Sequence, residues 1–152
     1  MLVFKKMNQR DFDSYLRDAV IKVAGEYALS GYYTEEEAMQ VSQEAFHRYL
    51  PEGLDTVDNY IFNITNDNKE IIGMIWFGKI KNDEVFIYDF IINESHQRKG
   101  YGKQTMELLE EYIKKLGCNK ISLHVFGHNK AALALYEKMG YEAFSINMSK
   151  SI

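Results

Sequence analysis

Apolar positions along the chain switch between a spacing of three to four and a spacing of two, and the switches lay out a series of elements. Leu2 to Lys5 reads as a short strand; from Asn8 the spacing is helical through Phe12, Tyr15, Leu16, Ala19, Val20 and Val23, with Gly25 and Gly31 bracketing the expected end. Thr34 followed by Glu37 is a capping-box pair that opens a second helix, whose stripe of Ala38, Val41, Ala45, Phe46 and Tyr49 runs to Leu50 and Pro51. Tyr60, Phe62 and Ile64 alternate up to Asp67-Asn68, and Ile71 to Phe77 resumes as the second arm of a hairpin. After a turn at Lys81-Asn82-Asp83, the run Val85 to Ile92 is apolar on both faces, which calls for cover on both sides.

Thr105, Leu108, Leu109, Tyr112, Ile113 and Leu116 form the buried stripe of a third helix ending at Gly117, and Ile121, Leu123 and Val125 form a strand. Strand, crossover helix and strand in this order predict a right-handed parallel step. Asn129 to Met139 predicts a short helix capped by Gly140, and Phe144, Ile146 and Met148 alternate with Ser145, Asn147 and Ser149 as a final strand. The order predicts an α+β domain spanning residues 1–152, with a mixed, mostly antiparallel central sheet flanked by helices and one strand-helix-strand motif.

Between the apolar strand and the third helix lies Gln97-Arg98-Lys99-Gly100-Tyr101-Gly102-Lys103-Gln104-Thr105. Glycines let a ligand approach the backbone, and the first turn of a helix offers unpaired N–H groups with partial positive charge. Arg98, Lys99 and Lys103 oppose the helix dipole there, so the pattern points to an anion seated among them. Thr105 stands where a dinucleotide fingerprint has its third glycine, and the Gly-Lys-Ser/Thr ending of a P-loop is missing.

Composition narrows the ligand. A net charge of -4 over 152 residues argues against general nucleic-acid binding, so a local basic patch suits a small polyanion. Cys118 is the only cysteine, which leaves no disulfide framework and no cysteine cluster for a metal. No stretch reads as a signal peptide or a membrane span, and a cytoplasmic protein is expected.

Gln97-x-x-Gly100-x-Gly102, with Leu123-x-Val125 leading to Asn129-x-x-Ala132-x-x-x-Tyr136-Glu137-Lys138-x-Gly140-Tyr141, resembles the two CoA-contacting blocks of the GCN5-related N-acetyltransferase (GNAT) family. The chain looks most like a group of bacterial members of unassigned substrate. The resemblance implies an acetyl-CoA dependent N-acetyltransferase working by direct attack of an amine. Ile91 and Ile92 would lend main-chain groups to the pantetheine arm, and Arg98, Lys99, Gly100, Tyr101, Gly102 and Lys103, with Gln97, would cradle the pyrophosphate. Asn129 and Ala132 would border the arm, with Tyr136 near the sulfur as general acid; these three share one face of a helix.

Asp89, a carboxylate interrupting an apolar strand, is the first candidate for general base, with Glu26, Glu84 and His124 as the others. Gly25 to Glu37, between the first two helices, is rich in tyrosine and acid, and Glu26, Tyr27 and Tyr32 are candidates to hold a cationic acceptor amine. A non-catalytic acyl-CoA binding module is the competing reading, and a nucleotide-binding regulatory domain a third. Sheet edges and the alternating C-terminal segment make a homodimer conceivable.

Overall fold

The computed structural model describes residues 1–152 and places them in five strands and four helices. Strand β1 (Val3–Lys6) leads to helix α1 (Gln9–Leu29), whose N-cap Asn8 accepts a 2.8 Å hydrogen bond from the Asp11 N–H. Helix α2 (Glu35–Tyr49) opens with the expected capping box: the Thr34 N–H donates to Glu37 Oε2 at 2.9 Å and the Glu37 N–H to Thr34 Oγ1 at 3.2 Å. Buried Ser42 on α2 donates to the Val20 carbonyl at 2.7 Å and ties the two helices together.

Strands β2 (Asn59–Thr65), β3 (Ile71–Lys81) and β4 (Glu84–Ile92) form an antiparallel meander beside β1. Helix α3 (Tyr101–Lys115) crosses over to strand β5 (Lys120–Leu123), which pairs parallel to β4 and completes a sheet in the order β1-β2-β3-β4-β5. Helix α4 (Lys130–Lys138) follows. This is the α+β arrangement expected, with its single parallel step at β4–β5.

Two apolar layers hold the sheet. Phe12 and Ala19 of α1 and Phe46 of α2 pack on Ile61, Met74 and Trp76, while Met106, Leu109 and Ile113 of α3 pack on Ile64, Ile75, Phe77, Val85 and Ile87. Each fully buried side chain of that size stabilises the fold by about 1.5–3 kcal/mol relative to exposure, which is why β4, covered on both faces, reads as an apolar run.

Two expectations need correction. Helix α1 continues through Gly25 to Leu29, so Glu26 and Tyr27 sit on its last turn rather than in a loop. The final strand does not form: the chain leaves α4 through Gly140 (φ +92°), and Phe144, Ile146 and Met148 are 88%, 76% and 91% exposed. Their alternation suits a strand, but a strand needs a sheet edge to pair with, and none meets this segment within the chain.

Candidate active site

Strand β4 is the spine of the site. Trp76 on β3 pairs with Asp89 and the next residue, Phe77, with Ile87, so Tyr88 is an extra residue in a β-bulge. The bulge puts Tyr88 and Asp89 on the α1–α2 face together: Tyr88 stacks on Trp76 at 4.6 Å, and Asp89 reaches α1. Past the bulge, Ile91 packs in the α1–α2 layer and Ile92 in the α3 layer. Gly73 lets β3 and β4 approach here, since a Cβ on it would lie 2.1 Å from the Ile91 carbonyl oxygen.

The β4–β5 pairing runs only from Glu84↔Lys120 to Ile87↔Leu123. Beyond it Tyr88–Ile92 has no strand beside it on that side, and the chain after β5 turns off toward α4. A wedge therefore opens between the two parallel strands at their C-terminal ends, with Ile91 and Ile92 along its β4 wall. Ligands of sheets with parallel strands characteristically enter at such an end.

At the base of this wedge the Gln97–Lys103 loop has an unusual backbone. The six consecutive N–H groups from Arg98 to Lys103 donate to no backbone or side-chain acceptor of the protein, and Gly100 caps α3 without a side-chain bond. Arg98 (φ +62°) and Gly100 (φ +81°) are left-handed, a conformation that costs a non-glycine residue about 1–2 kcal/mol and gathers successive N–H groups into a concave nest. No acid stands in the first turn of α3. Free N–H groups, dipole and basic side chains together make an anion cradle that fits a pyrophosphate. Gly102 leaves α4 close: a Cβ there would touch Leu135 at 3.4 Å.

Not every predicted cradle residue is free to face a ligand. Gln97 donates its side-chain N–H to the Ile92 carbonyl at 2.9 Å, and Lys99 Nζ donates to the Ser95 carbonyl at 2.9 Å, so both brace the loop from behind. Lys103 lies 3.8 Å from Glu107 on the surface, and Tyr101 is half-buried against the α3 layer. Asn129, expected to contact the pantetheine arm or its end, is the N-cap of α4 and accepts from the Ala132 N–H at 3.2 Å through its side-chain oxygen.

Asp89 accepts a 2.7 Å hydrogen bond from the Tyr15 hydroxyl of α1. Burial raises the Asp89 carboxyl above its ordinary range, while Tyr15, Lys22 and the Phe90 N–H pull it back. Tyr136, half-buried on α4, is pushed up to about 12, first by burial and then by the charge of Asp89. Tyr136 on α4 thus feels the charge of Asp89 on β4, and Tyr141 meets Tyr136 edge-on at 5.4 Å. Tyr15 was not foreseen as a site residue: on the sequence it is one more position of the α1 stripe.

The other candidate bases separate. Glu84 is buried at the far end of β4 between Lys81 (3.7 Å) and Lys120 (3.9 Å), a structural acid away from the wedge. His124 is exposed and lies edge-on to Phe126 at 4.9 Å. Glu26 meets His128 Nε2 at 2.7 Å, a pair that ties the end of α1 to the loop before α4 across 102 positions. Beside it Tyr27 contacts Phe126 and Tyr33 edge-on, each at 5.6 Å, and burial raises the Tyr27 phenol. Tyr32 packs on Tyr33 at 4.9 Å but is 73% exposed, so Tyr33 and Phe126 replace it in the wall around Glu26.

These features have counterparts among known proteins. Residues 25–141 match the Acetyltransferase (GNAT) family. Two proteins of Bacillus subtilis (strain 168), both named as N-acetyltransferases, are similar over nearly their whole length. YdgE is 35% identical, with 96% of this chain and 95% of YdgE covered, and YycN is 33% identical, with 99% of each covered. The crystal structure of YycN superposes with a TM-score of 0.95 over 100% of this chain and 99% of that one. The PaiA N-acetyltransferase of Thermoplasma acidophilum, solved in complex with coenzyme A, shares the fold at a TM-score of 0.68 and 18% identity, covering 97% of this chain and 93% of its own. With the nest at the start of α3 and the wedge beyond the β4 bulge, these matches show that the chain belongs to the GNAT family of acetyltransferases.

Proposed function

We propose that the protein transfers the acetyl group of acetyl-CoA to a primary amine of a small molecule or peptide, and that the wedge between β4 and β5 is where the two meet. The observation that carries this reading is the row of six unpaired N–H groups from Arg98 to Lys103, placed to receive the pyrophosphate while the rest of the cofactor-like substrate runs along Ile91 and Ile92. That PaiA was solved with coenzyme A supports the same choice of donor. A cytoplasmic setting, where acetyl-CoA is available, goes with this reading.

The chemistry is direct. The neutral amine nitrogen attacks the thioester carbonyl carbon, the new C–N bond forms, the C–S bond breaks, and the thiolate leaves. Tyr136, kept protonated by its raised pKa of about 12, gives its proton to that sulfur. Asp89 takes a proton from the amine, directly or through water; burial lifts its basicity toward working pH, and Tyr15 holds the carboxylate in place. Glu26 and the ring faces of Tyr27, Tyr33 and Phe126 form an anionic, aromatic wall suited to a cationic amine.

Calorimetry tests the donor site. Acetyl-CoA and CoA are expected to bind the wild type saturably and ATP far more weakly, and Gly100→Glu, which sets a carboxylate in the cradle, is expected to abolish binding in a protein of unchanged circular dichroism. Absence of binding to the folded wild type would reject the reading. Binding without turnover of any amine would reduce it to an acyl-CoA binding module.

A further inference from the structure

Helix α1 serves two acids at two different heights. Tyr15, which holds Asp89, and Glu26 itself are eleven positions apart on α1, close to three full turns, so they share a face and are separated by about 16 Å along the axis. Both side chains lean toward the N-terminus of the helix, which leaves that separation nearly unchanged. A nitrogen that reacts beside Asp89 is therefore out of reach of Glu26, and the Glu26 carboxylate is free to hold something else.

Its partner in the free protein shows what kind of group fits. His128 Nε2 stands 2.7 Å from Glu26 Oε2, and the imidazole lies on the face of Phe126, with ring centroids 5.4 Å apart and planes 14° from parallel. Tyr27 stands edge-on to Phe126 and to Tyr33. A carboxylate beside aromatic faces set at right angles to one another suits an organic ammonium ion. Here a side chain of the protein occupies the place, in a contact about one third exposed and so open to exchange.

Between the two acids the surface is aromatic and, at its middle, repels charge. The β4 bulge sets Tyr88 beside Asp89 on the same face, and Tyr49 packs on Tyr88 at 4.9 Å. Burial, and then the neighbouring Tyr49 phenol, raises Tyr27, which carries the aromatic path on to Glu26. Lys22 lies one turn before Glu26 on the same face of α1, and its charge acts on Asp89. An ammonium placed between the acids disfavours a positive charge in the middle of an acceptor and leaves its two ends alone.

We propose that the acceptor is a linear diamine: one primary amine reacts beside Asp89, and a second ammonium about 10 Å away on an uncharged tether takes the place of His128 at Glu26. This rests on the acetyl-transfer reading above and adds a length to it. With about 3 Å between each nitrogen and its carboxylate, the 16 Å span shrinks to about 10 Å; an extended chain gains about 1.2 Å per bond, so about seven methylenes fit.

Initial rates with acetyl-CoA along a series of α,ω-diaminoalkanes of about four to about ten carbons, each against the monoalkylamine of equal length, test this. In the wild type 1,7-diaminoheptane is expected to exceed heptylamine in kcat/KM by about tenfold or more, through KM, with the advantage fading toward both ends of the series. In Glu26→Gln that ratio is expected to fall toward unity, whereas His128→Ala, which removes the competing imidazole, lowers KM for the diamine. The ratio is internal to each variant, so a general loss of activity does not move it. Diamines no better than monoamines, an advantage kept in Glu26→Gln, or one that grows with length without a maximum overturns the proposal. So does a parallel loss in Glu26→Gln and His128→Ala, which would make the pair a structural tie. If no amine turns over, calorimetric titration of 1,7-diaminoheptane and heptylamine into the CoA-bound protein keeps the two readings apart: a diamine preference lost in Glu26→Gln supports this site, and equal binding overturns it.

Discussion

Tyr15 on α1 donates a 2.7 Å hydrogen bond to Oδ2 of Asp89 on β4, joining a helix of the first layer to the one carboxylate in the apolar run Val85 to Ile92. Two opposing effects meet at this oxygen. Burial disfavours the charge and raises the carboxyl, while the phenol stabilises the charge and lowers it. The strand bulge at Tyr88 brings Asp89 onto the face where Tyr15 can reach it.

Replacing Tyr15 by Phe removes the lowering effect and leaves the burial. The Asp89 carboxyl then rises further, and a base must be deprotonated to act, so the acidic limb of kcat/KM is expected to move to higher pH. A purely structural role for Tyr15 would lower activity equally at every pH and leave the limb where it was. A pH profile of the Phe variant with one acceptor amine separates the two.

Asp89→Asn should divide activity from stability. The folded carboxyl lies above its unfolded value, so its contribution favours the fold at low pH and is lost as the pH rises through the folded pKa. Asparagine still accepts from Tyr15 but never ionises. The variant is therefore expected to gain stability over wild type at neutral pH and to gain little at a pH where both carboxyls are protonated, while kcat falls by about 10²-fold or more. Urea titrations at the two pH values check the first part, and initial rates the second.

Most of this architecture was legible in the residues, and what escaped has physical causes. The Thr34–Glu37 box, the hairpin at Asp67-Asn68 and the glycine at 100 work through neighbours a few positions away, so local pattern reveals them. The Tyr15–Asp89 and Glu26–His128 contacts span 74 and 102 positions; Asp89 stands out in its apolar run, but no local pattern marks Tyr15 or His128 as a partner. Gly25 looked like a helix end because glycine weakens helices by only about 1 kcal/mol, which packing around Ala24 overrides. The alternation of Phe144, Ile146 and Met148 reads as a strand, but alternation does not supply a sheet edge to pair with, and no strand forms there.

Glycines at 73 and 25 should respond in opposite directions to alanine. At Gly73 the new methyl would sit 2.1 Å from the Ile91 carbonyl oxygen, main chain that no rotamer change can move, so β3 and β4 must separate. A loss of about 3 kcal/mol or more is expected, with weaker CoA binding because Ile91 moves. At Gly25, inside α1 with nothing within 4 Å, alanine should stabilise by about 0.5–1 kcal/mol. Denaturation midpoints of the two variants give the comparison.

Tyr136→Phe tests the general acid. With its pKa pushed up to about 12, the phenol stays protonated throughout any ordinary assay range and is always able to donate. Its loss is expected to lower kcat by about 10²-fold or more, to leave the affinity for acetyl-CoA nearly unchanged, and to leave the alkaline side of the profile in place. A variant with normal kcat would assign Tyr136 to packing against Tyr141 alone.

Glu26→Gln bears on the acceptor. In the free protein Glu26 is engaged by His128 at 2.7 Å, Phe126 stacks on that imidazole at 5.4 Å, and the pair is about one third exposed, with side-chain exposures of 31% and 35%. A cationic amine entering the wedge exchanges places with the imidazole or shares the carboxylate with it, and a charge-assisted hydrogen bond of that kind is worth about 1.5–3 kcal/mol. The Gln variant keeps the size and the hydrogen-bonding carbonyl but not the charge. KM for the amine is therefore expected to rise by about tenfold or more, with the affinity for acetyl-CoA unchanged. Ionic strength gives a second readout: added salt should raise KM for a cationic amine in the wild type and have much less effect in the variant, because the screened attraction is gone. Loss of acetyl-CoA affinity along with amine affinity would show that Glu26 acts by holding the loop before α4 through His128, and would remove it from the acceptor site.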